Sequence, residues 1–371
     1  MPVPPFRADH VGSLLRPAYL KEARAQFADG RIDAAALRAV ENKAILEVIE
    51  LQESVGLPAV TDGEFRRALW HVDFLTGFEG VEATKSDYAV SFKGSSGEAA
   101  TTSSMLAVTK KVKRSKPIMV DHFAYVKAHT KARAKMCIPS PTYMHMRGGR
   151  KVVADAAYPD QNDFWTDITE AYRQEIAGFV EAGCTYLQLD DVSFAALCDE
   201  GICAQAARDG LDPKKLPETY ARIVAGIIEG RPDTLGVTMH TCRGNHESMW
   251  MAEGGYEPIA DAMFNLSGVD GFFLEYDTDR AGDFAPLRFV PKGKRVVLGL
   301  ISSKEAAMET KDALKKRIDE AAKFVPLDQL CISPQCGFAS TAPGNKISED
   351  VQKRKLALAV EVAHEVWGGL V

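Results

Sequence analysis

Two hydrophobic periods alternate along this chain, and that alternation restricts its fold more than any other feature. Short apolar runs bounded by turn residues fall at His10–Leu14, Ala59–Gly63, Lys135–Pro139, Thr185–Asp190, Leu235–His240, Gly271–Tyr276, Val296–Ile301 and Leu330–Ser333, and read as strands. Between them, apolar residues recur at helical spacing over Ala35–Val55, Phe164–Ala182, Lys214–Gly230, Lys304–Phe324 and Glu349–Trp367. Val55-Gly56, Ala182-Gly183 and Glu229-Gly230 each put a glycine after the last apolar turn, which is a helix stop signal. Eight strands with intervening helices predict an α/β fold, a single TIM-type (β/α)8 barrel that takes in residues 1–371 as one domain. Residues from about Val81 to Lys131 break the alternation. There the Gly/Ser-rich run KGSSGEAATTSS precedes the basic, β-leaning LAVTKKVKRSKPIMV. This predicts a solvated hairpin inserted between the second and third units, either a surface excursion or a lid or interface arm near the barrel mouth.

Composition narrows the partners. Apolar residues make up 46% of the 371 and charged residues 26%, the mix of an ordinary globular protein. A net charge of −6 favours neither nucleic acid nor an anionic membrane. No apolar run approaches the ~20 residues of a membrane span. The start, MPVPPFRADHVGS, shows no signal-peptide pattern, so a cytoplasmic protein is expected. Its seven cysteines are an odd number at irregular spacing and read as reduced thiols rather than a disulfide frame. Small molecules, and copies of the chain itself, remain as partners.

In a β/α barrel the C-terminal ends of the strands share one mouth, and reactive side chains gather at those ends here. They are His10 and Ser13 on the first strand, Asp62, Glu64 and Arg66 after the second, Asp190 and Asp191 on the fourth, and His240 and Cys242 on the fifth. Glu275 ends the sixth and Cys336 follows the eighth. His240 and Cys242 stand two apart on an extended segment, so their side chains point the same way and can share one metal ion. Imidazole nitrogen and thiolate sulfur are preferred zinc donors. With Cys336 they make three ligands, and Glu275 is the candidate for a fourth, exchangeable one. A two-thiolate site leaves zinc little net positive charge, which suits activation of a substrate thiol better than of water. Several of these residues admit plainer roles. Asp190 and Asp191 could cap the following helix, Glu64 could pair with Arg66 or Arg67, and His10 and Ser13 could close the N-terminal turn. Cys137, Cys184, Cys198, Cys203 and Cys331 read as packing residues, as do Met144 and Met146, and His246 and Trp250 as helix residues.

Taken in order, VGSLLRP, DGEFRR, IPSPTYM, LQLDD, MHTCRGN, FFLEYD, LGLISSK and SPQCGF resemble the catalytic C-terminal domain of cobalamin-independent methionine synthase, particularly its short single-domain bacterial relatives. The resemblance implies a barrel holding one Zn2+ on His240, Cys242, Glu275 and Cys336. It also implies a methyl transfer to homocysteine, giving methionine, with zinc activating the thiolate. His10, Ser13, Glu64 and Asp190 match the part that holds the amino acid, and Asp191 stands where the family typically has Glu. Asp191 or His145 is the candidate acid for the leaving group. Two departures leave the methyl or alkyl donor open. The family's full-length enzymes carry an additional N-terminal half that helps hold polyglutamylated folate, and VSFAAL replaces the usual Pro-Ala pattern after Asp191. A related class, the epoxyalkane:coenzyme M transferases, opens epoxides at a similar zinc site; there Arg243 or Arg66 would serve the alkoxide. A barrel that binds zinc or a thiol without turnover is the non-catalytic alternative.

Overall fold

The computed structural model describes residues 4–84, 89–94, 97–102 and 105–371. Six of the expected strands form within a residue or two of their apolar runs: β7 (Met136–Pro139), β8 (Tyr186–Asp191), β9 (Gly236–Thr241), β10 (Gly271–Glu275), β11 (Arg295–Ile301) and β12 (Leu330–Pro334). They make a six-stranded parallel sheet in sequential order, β7 to β12. Both faces of β8, β9 and β10 are buried, which is why their sequences are near-continuous apolar runs.

Helices cover the outside. Those at Ala34–Ser54, Gln161–Glu181, Leu216–Ile228 and Glu349–Trp367 lie where the helical period placed them. Asp33, Asp160 and Ser348 accept hydrogen bonds from the first-turn amides of three of these helices. Gly183 takes φ +87°, and its amide bonds Val180 O while that of Cys184 bonds Phe179 O, the left-handed stop expected after Ala182. The helix expected from Lys304 instead runs Lys311–Ala321 and is capped by Thr310. Residues 304–310 form a loop pinned by Glu309, which accepts from Ser302 N and from Lys355 Nζ.

The N-terminal third departs from the regular pattern. The run expected as a first strand at His10–Leu14 forms no strand; the segment touches β12 through one isolated bridge, Ala8 to Ile332. The second run keeps only β1 (Ala59–Val60), which pairs with β6 (Arg133–Ala134). Beyond Val60 the Thr61 hydroxyl donates to Gly12 O at 2.6 Å, and the chain turns through Gly63 and Glu64 at φ +64° and +61°. In place of an eight-stranded ladder there are therefore a parallel six and a parallel pair. The N-terminal segment spans the gap, held by Ile332 N to Arg7 O at 2.8 Å on one side and Leu14 N to Gly63 O at 3.1 Å on the other. Under the strand ends the interior holds a buried ion pair, Lys135 with Asp9 at 3.1 Å, and the Tyr186 hydroxyl also donates to Asp9.

The expected insertion is a hairpin over its first part only. β2 (Glu79–Thr84) pairs antiparallel with β5 (Met105–Lys113), and β3 (Ala89–Gly94) with β4 (Gly97–Thr102). Its Gly/Ser-rich stretch lies partly outside the described residues, at 95–96 and 103–104. The remainder, expected as hairpin, is a helix at Val120–His129. β3 reaches the strand ends: Lys93 and Trp250 exchange backbone hydrogen bonds of 2.7 and 2.8 Å. His246 and Trp250 accordingly sit in a bridged turn and not in a helix. Among the described residues, no helix is long and apolar enough to cross a membrane.

Candidate metal and thiol site

Strand pleat brings the sulfur and nitrogen donors together. On β9 the side chains of Thr238 and His240 alternate with Met239 and Thr241, and Cys242 continues the inward series one residue past the strand. Glu275 closes β10, whose Phe273 is in register with His240, and Cys336 follows β12 by two residues. The donor atoms of His240, Cys242, Glu275 and Cys336 all lie within 4.8 Å of one another, and all four residues are buried. The sulfurs of Cys242 and Cys336 are 3.5 Å apart and unbridged. Zinc–sulfur bonds of ~2.3 Å in a tetrahedron place two sulfurs roughly 3.8 Å apart, so the spacing suits one such ion. Neither ring nitrogen of buried His240 has a hydrogen-bond partner of good geometry, so the donor set fits a metal ion.

Charges around the cluster keep its donors ready. Burial alone would push the Glu275 carboxyl up; Lys304, Arg280, His240 and the Arg243 amide outweigh it and hold it at about 2. Its two oxygens accept from Arg243 N at 2.8 Å and Arg280 Nη2 at 2.9 Å. The hydrogen bond to Cys336 raises Cys242, and the same bond lowers Cys336 well below the usual thiol range.

Beside the cluster, Ser13, Glu64 and Asp190 line a small cavity of about 30 Å³ together with His240, Cys242 and Cys336. Gly337 makes room for Ser13, since a Cβ there would stand 1.9 Å from the Ser13 hydroxyl. Glu64 lies 3.6 Å from Arg67, and its second oxygen has no partner. Asp190, in register with His240, accepts from Gln188 at 2.7 Å. Burial raises both carboxyls, Glu64 to about 7 and Asp190 to about 6, and each is countered in part by a nearby cation.

Three residues expected at the site lie elsewhere. The Asp191 side chain alternates with that of Asp190 and so faces the opposite way, accepting from Thr142 at 2.5 Å and Phe194 N at 2.8 Å, the helix-capping role weighed against substrate contact. His145 packs on Trp165 and meets the Tyr220 hydroxyl at 3.1 Å, between the outer helices and the sheet. His10 meets Ala59 O at 3.2 Å beneath the cavity. The arginines weighed for an alkoxide also lie off the cavity: Arg66 pairs with Glu41, and Arg243 covers the Tyr256 ring at 4.6 Å. Sequence reasoning missed Asn245 and Trp70, which line the cavity, and Lys304, a buried ammonium beside Glu275. Lys304 sits in a run with helical composition, and Asn245 and Trp70 lie in loops where residue type alone singles out nothing.

A parallel α/β fold carrying a His/Cys/Glu/Cys cluster at its strand ends defines the class. Residues 6–365 match the family model described as the cobalamin-independent synthase catalytic domain, and the chain belongs to that family. It is 44% identical over 366 residues to the uncharacterized protein YxjG of Bacillus subtilis, covering 98% of this chain and 95% of that protein. A solved structure from Listeria monocytogenes, described as a candidate vitamin-B12-independent methionine synthase, superposes with a TM-score of 0.79 at 37% identity, covering 99% of this chain and all of that one. A B12-independent methionine synthase from Shewanella, solved with selenomethionine, shares the fold at a TM-score of 0.72 and 19% identity, covering 97% of each chain.

Proposed function

We propose that this chain transfers a methyl or alkyl group to a small amino-acid thiol, homocysteine, which becomes methionine when the group is methyl. The observation that carries the reading is the mixed lining of one cavity. Two cysteines and the histidine of the cluster share it with two buried carboxyls and a serine hydroxyl, and Glu275 completes the cluster behind it. Zinc bound by His240, Cys242, Glu275 and Cys336 would lower the pKa of a substrate thiol and keep it a nucleophilic thiolate at neutral pH. Glu64 and Asp190 would receive the ammonium of an amino acid, whose positive charge would draw both carboxyls to their ionised form. Ser13 would donate to its carboxylate. An amino acid anchored at both ends points its side-chain sulfur at the cysteine wall, and fixing that geometry removes much of the entropic cost of the transfer. Arg280 and the Arg243 amide hold Glu275 ionised and oriented. Family membership and the names of the relatives support methyl transfer. None of the placements above favours epoxide opening.

The test is product formation by the full chain given homocysteine or coenzyme M with methyl-folates, methylated sulfur compounds or epoxides. Methionine from homocysteine is the expected product. A thioether of coenzyme M from an epoxide, or thiol uptake without any product, contradicts the reading.

A further inference from the structure

The segment leading to Ser13 is held to the sheet by side chains and not by a ladder. The carbonyls of His10, Val11 and Gly12 accept from Lys135 Nζ at 2.5 Å, Gln188 Nε2 at 2.6 Å and Thr61 Oγ1 at 2.6 Å. Cys137 Sγ is a second donor to Val11 O, at 3.2 Å. Backbone bonds resume on either side, from Asp9 N to Ile332 O and from Leu14 N to Gly63 O, both 3.1 Å. A strand takes its register from a row of backbone amides. Between Asp9 and Leu14 the reach of these side chains does that work.

Of these donors, Gln188 also reaches a carboxylate of the site. It stands on β8 two residues before Asp190, so both side chains leave the same face of the strand. Its Nε2 donates to Asp190 Oδ1 at 2.7 Å as well as to Val11 O, which uses both amide hydrogens. The amide is fully buried, and its oxygen has no hydrogen-bond partner. An unmet oxygen inside a protein is unfavourable, and an apolar side chain of the same length would fill the position without one. What the amide supplies is two N–H groups diverging from one nitrogen. Both acceptors belong to residues that line the small cavity together with Ser13, whereas Gln188 itself does not line it.

We propose that Gln188 is a positioning residue: its one amide sets the spacing between the Asp190 carboxylate and the backbone leading to Ser13, and so favours a thiol bearing both an ammonium and a carboxylate over thiols bearing one of them. It acts through the two groups it holds. With Asp190 taking the ammonium and Ser13 the carboxylate, their spacing decides whether both ends of a substrate engage at once. A thiol that uses only one of them is indifferent to that spacing. The inference rests on the thiol-transfer reading, which supplies the roles of Asp190 and Ser13.

The experiment measures binding of three thiols to the full chain supplied with zinc, by equilibrium dialysis: homocysteine, 4-mercaptobutyrate, which lacks the ammonium, and 3-mercaptopropylamine, which lacks the carboxylate. Thermal unfolding is recorded alongside. The wild type should bind homocysteine at least about tenfold tighter than either single-ended thiol. Gln188→Met, similar in length and without N–H groups, should weaken homocysteine about tenfold (~1.4 kcal/mol) and leave the single-ended thiols within about threefold. Gln188→Asn, whose shorter amide cannot span both acceptors, should lose the preference in the same way. A homocysteine preference that survives in the folded variants would overturn the proposal. So would an equal loss for all three thiols, which is what a merely structural role gives, or failure of both variants to unfold cooperatively. A wild type that prefers homocysteine leaves the thiol-transfer reading standing however the variants behave. A wild type without that preference sinks the reading, and this inference with it.

Discussion

Replacing Glu64 by Gln should make the protein more stable at neutral pH while impairing it. Glu64 is buried at the end of a tight turn, faced by Arg67 and Arg16 from its own side and by Asp62 and Asp190. Burial is the largest influence on its carboxyl and raises it from 4.5 to about 7, with Asp190 and Asp62 adding to the rise and Arg67 and Arg16 opposing it. A carboxyl raised on folding favours the folded state while it is protonated. Its contribution is therefore intact below pH 4.5 and is lost as pH climbs through 7. Each factor of ten in proton affinity is worth ~1.4 kcal/mol, so the rise corresponds to about 3 kcal/mol. Gln is neutral throughout. The variant should match the wild type in urea unfolding near about pH 4.5 and exceed it by about 3 kcal/mol near about pH 8. Arg67 would keep its bond to Cys137 O at 2.6 Å, so the substitution does not strand it. Homocysteine, whose ammonium loses one carboxylate, should bind the variant more weakly. A stability difference independent of pH, or a variant less stable than the wild type near about pH 8, would refute the reasoning.

Two further outcomes follow from the interior. Lys135→Met leaves the Asp9 carboxylate buried and without its cation, and should cost about 3–5 kcal/mol in denaturant unfolding; adding Asp9→Asn should recover most of it, and a single variant of wild-type stability would show that the pair is not ionised. His145→Phe, which changes a ring lodged between Trp165 and Tyr220, should leave the rate of group transfer unaltered when product formation is followed, and a loss of transfer without loss of fold would return His145 to the chemistry.

The sequence was most legible where burial is two-sided. β7 to β12 follow their apolar runs closely because both faces of those strands are buried, so polar residues gather only towards their ends. The N-terminal runs misled because their apolar residues pack without laddering: Ala8 makes a single bridge, and the Thr61 side chain bonds backbone where a strand would have continued. Lys304–Thr310 has helix-forming composition, yet Glu309 spends its carboxylate on Ser302 N and Lys355, a tertiary demand invisible to periodicity. In the site, the i, i+2 spacing of His240 and Cys242 carried real geometric information, and strand ends carried Glu275 and Cys336. Asp191 failed by a single step of the same pleat that placed Asp190. His71 and Asn245 could not be found in advance, because what marks them is polar atoms left unmet in the folded state, both ring nitrogens of His71 and the amide oxygen of Asn245.

The central claim, a zinc ion on these four residues that takes a substrate thiol as ligand, is tested most directly by zinc-edge X-ray absorption on the metal-analysed protein with and without homocysteine. The account predicts one zinc per chain with two sulfur ligands at ~2.3 Å, gaining a third sulfur when homocysteine is added and losing the metal in Cys242→Ala. A protein without zinc, zinc indifferent to Cys242→Ala, or a coordination shell unchanged by homocysteine would contradict it.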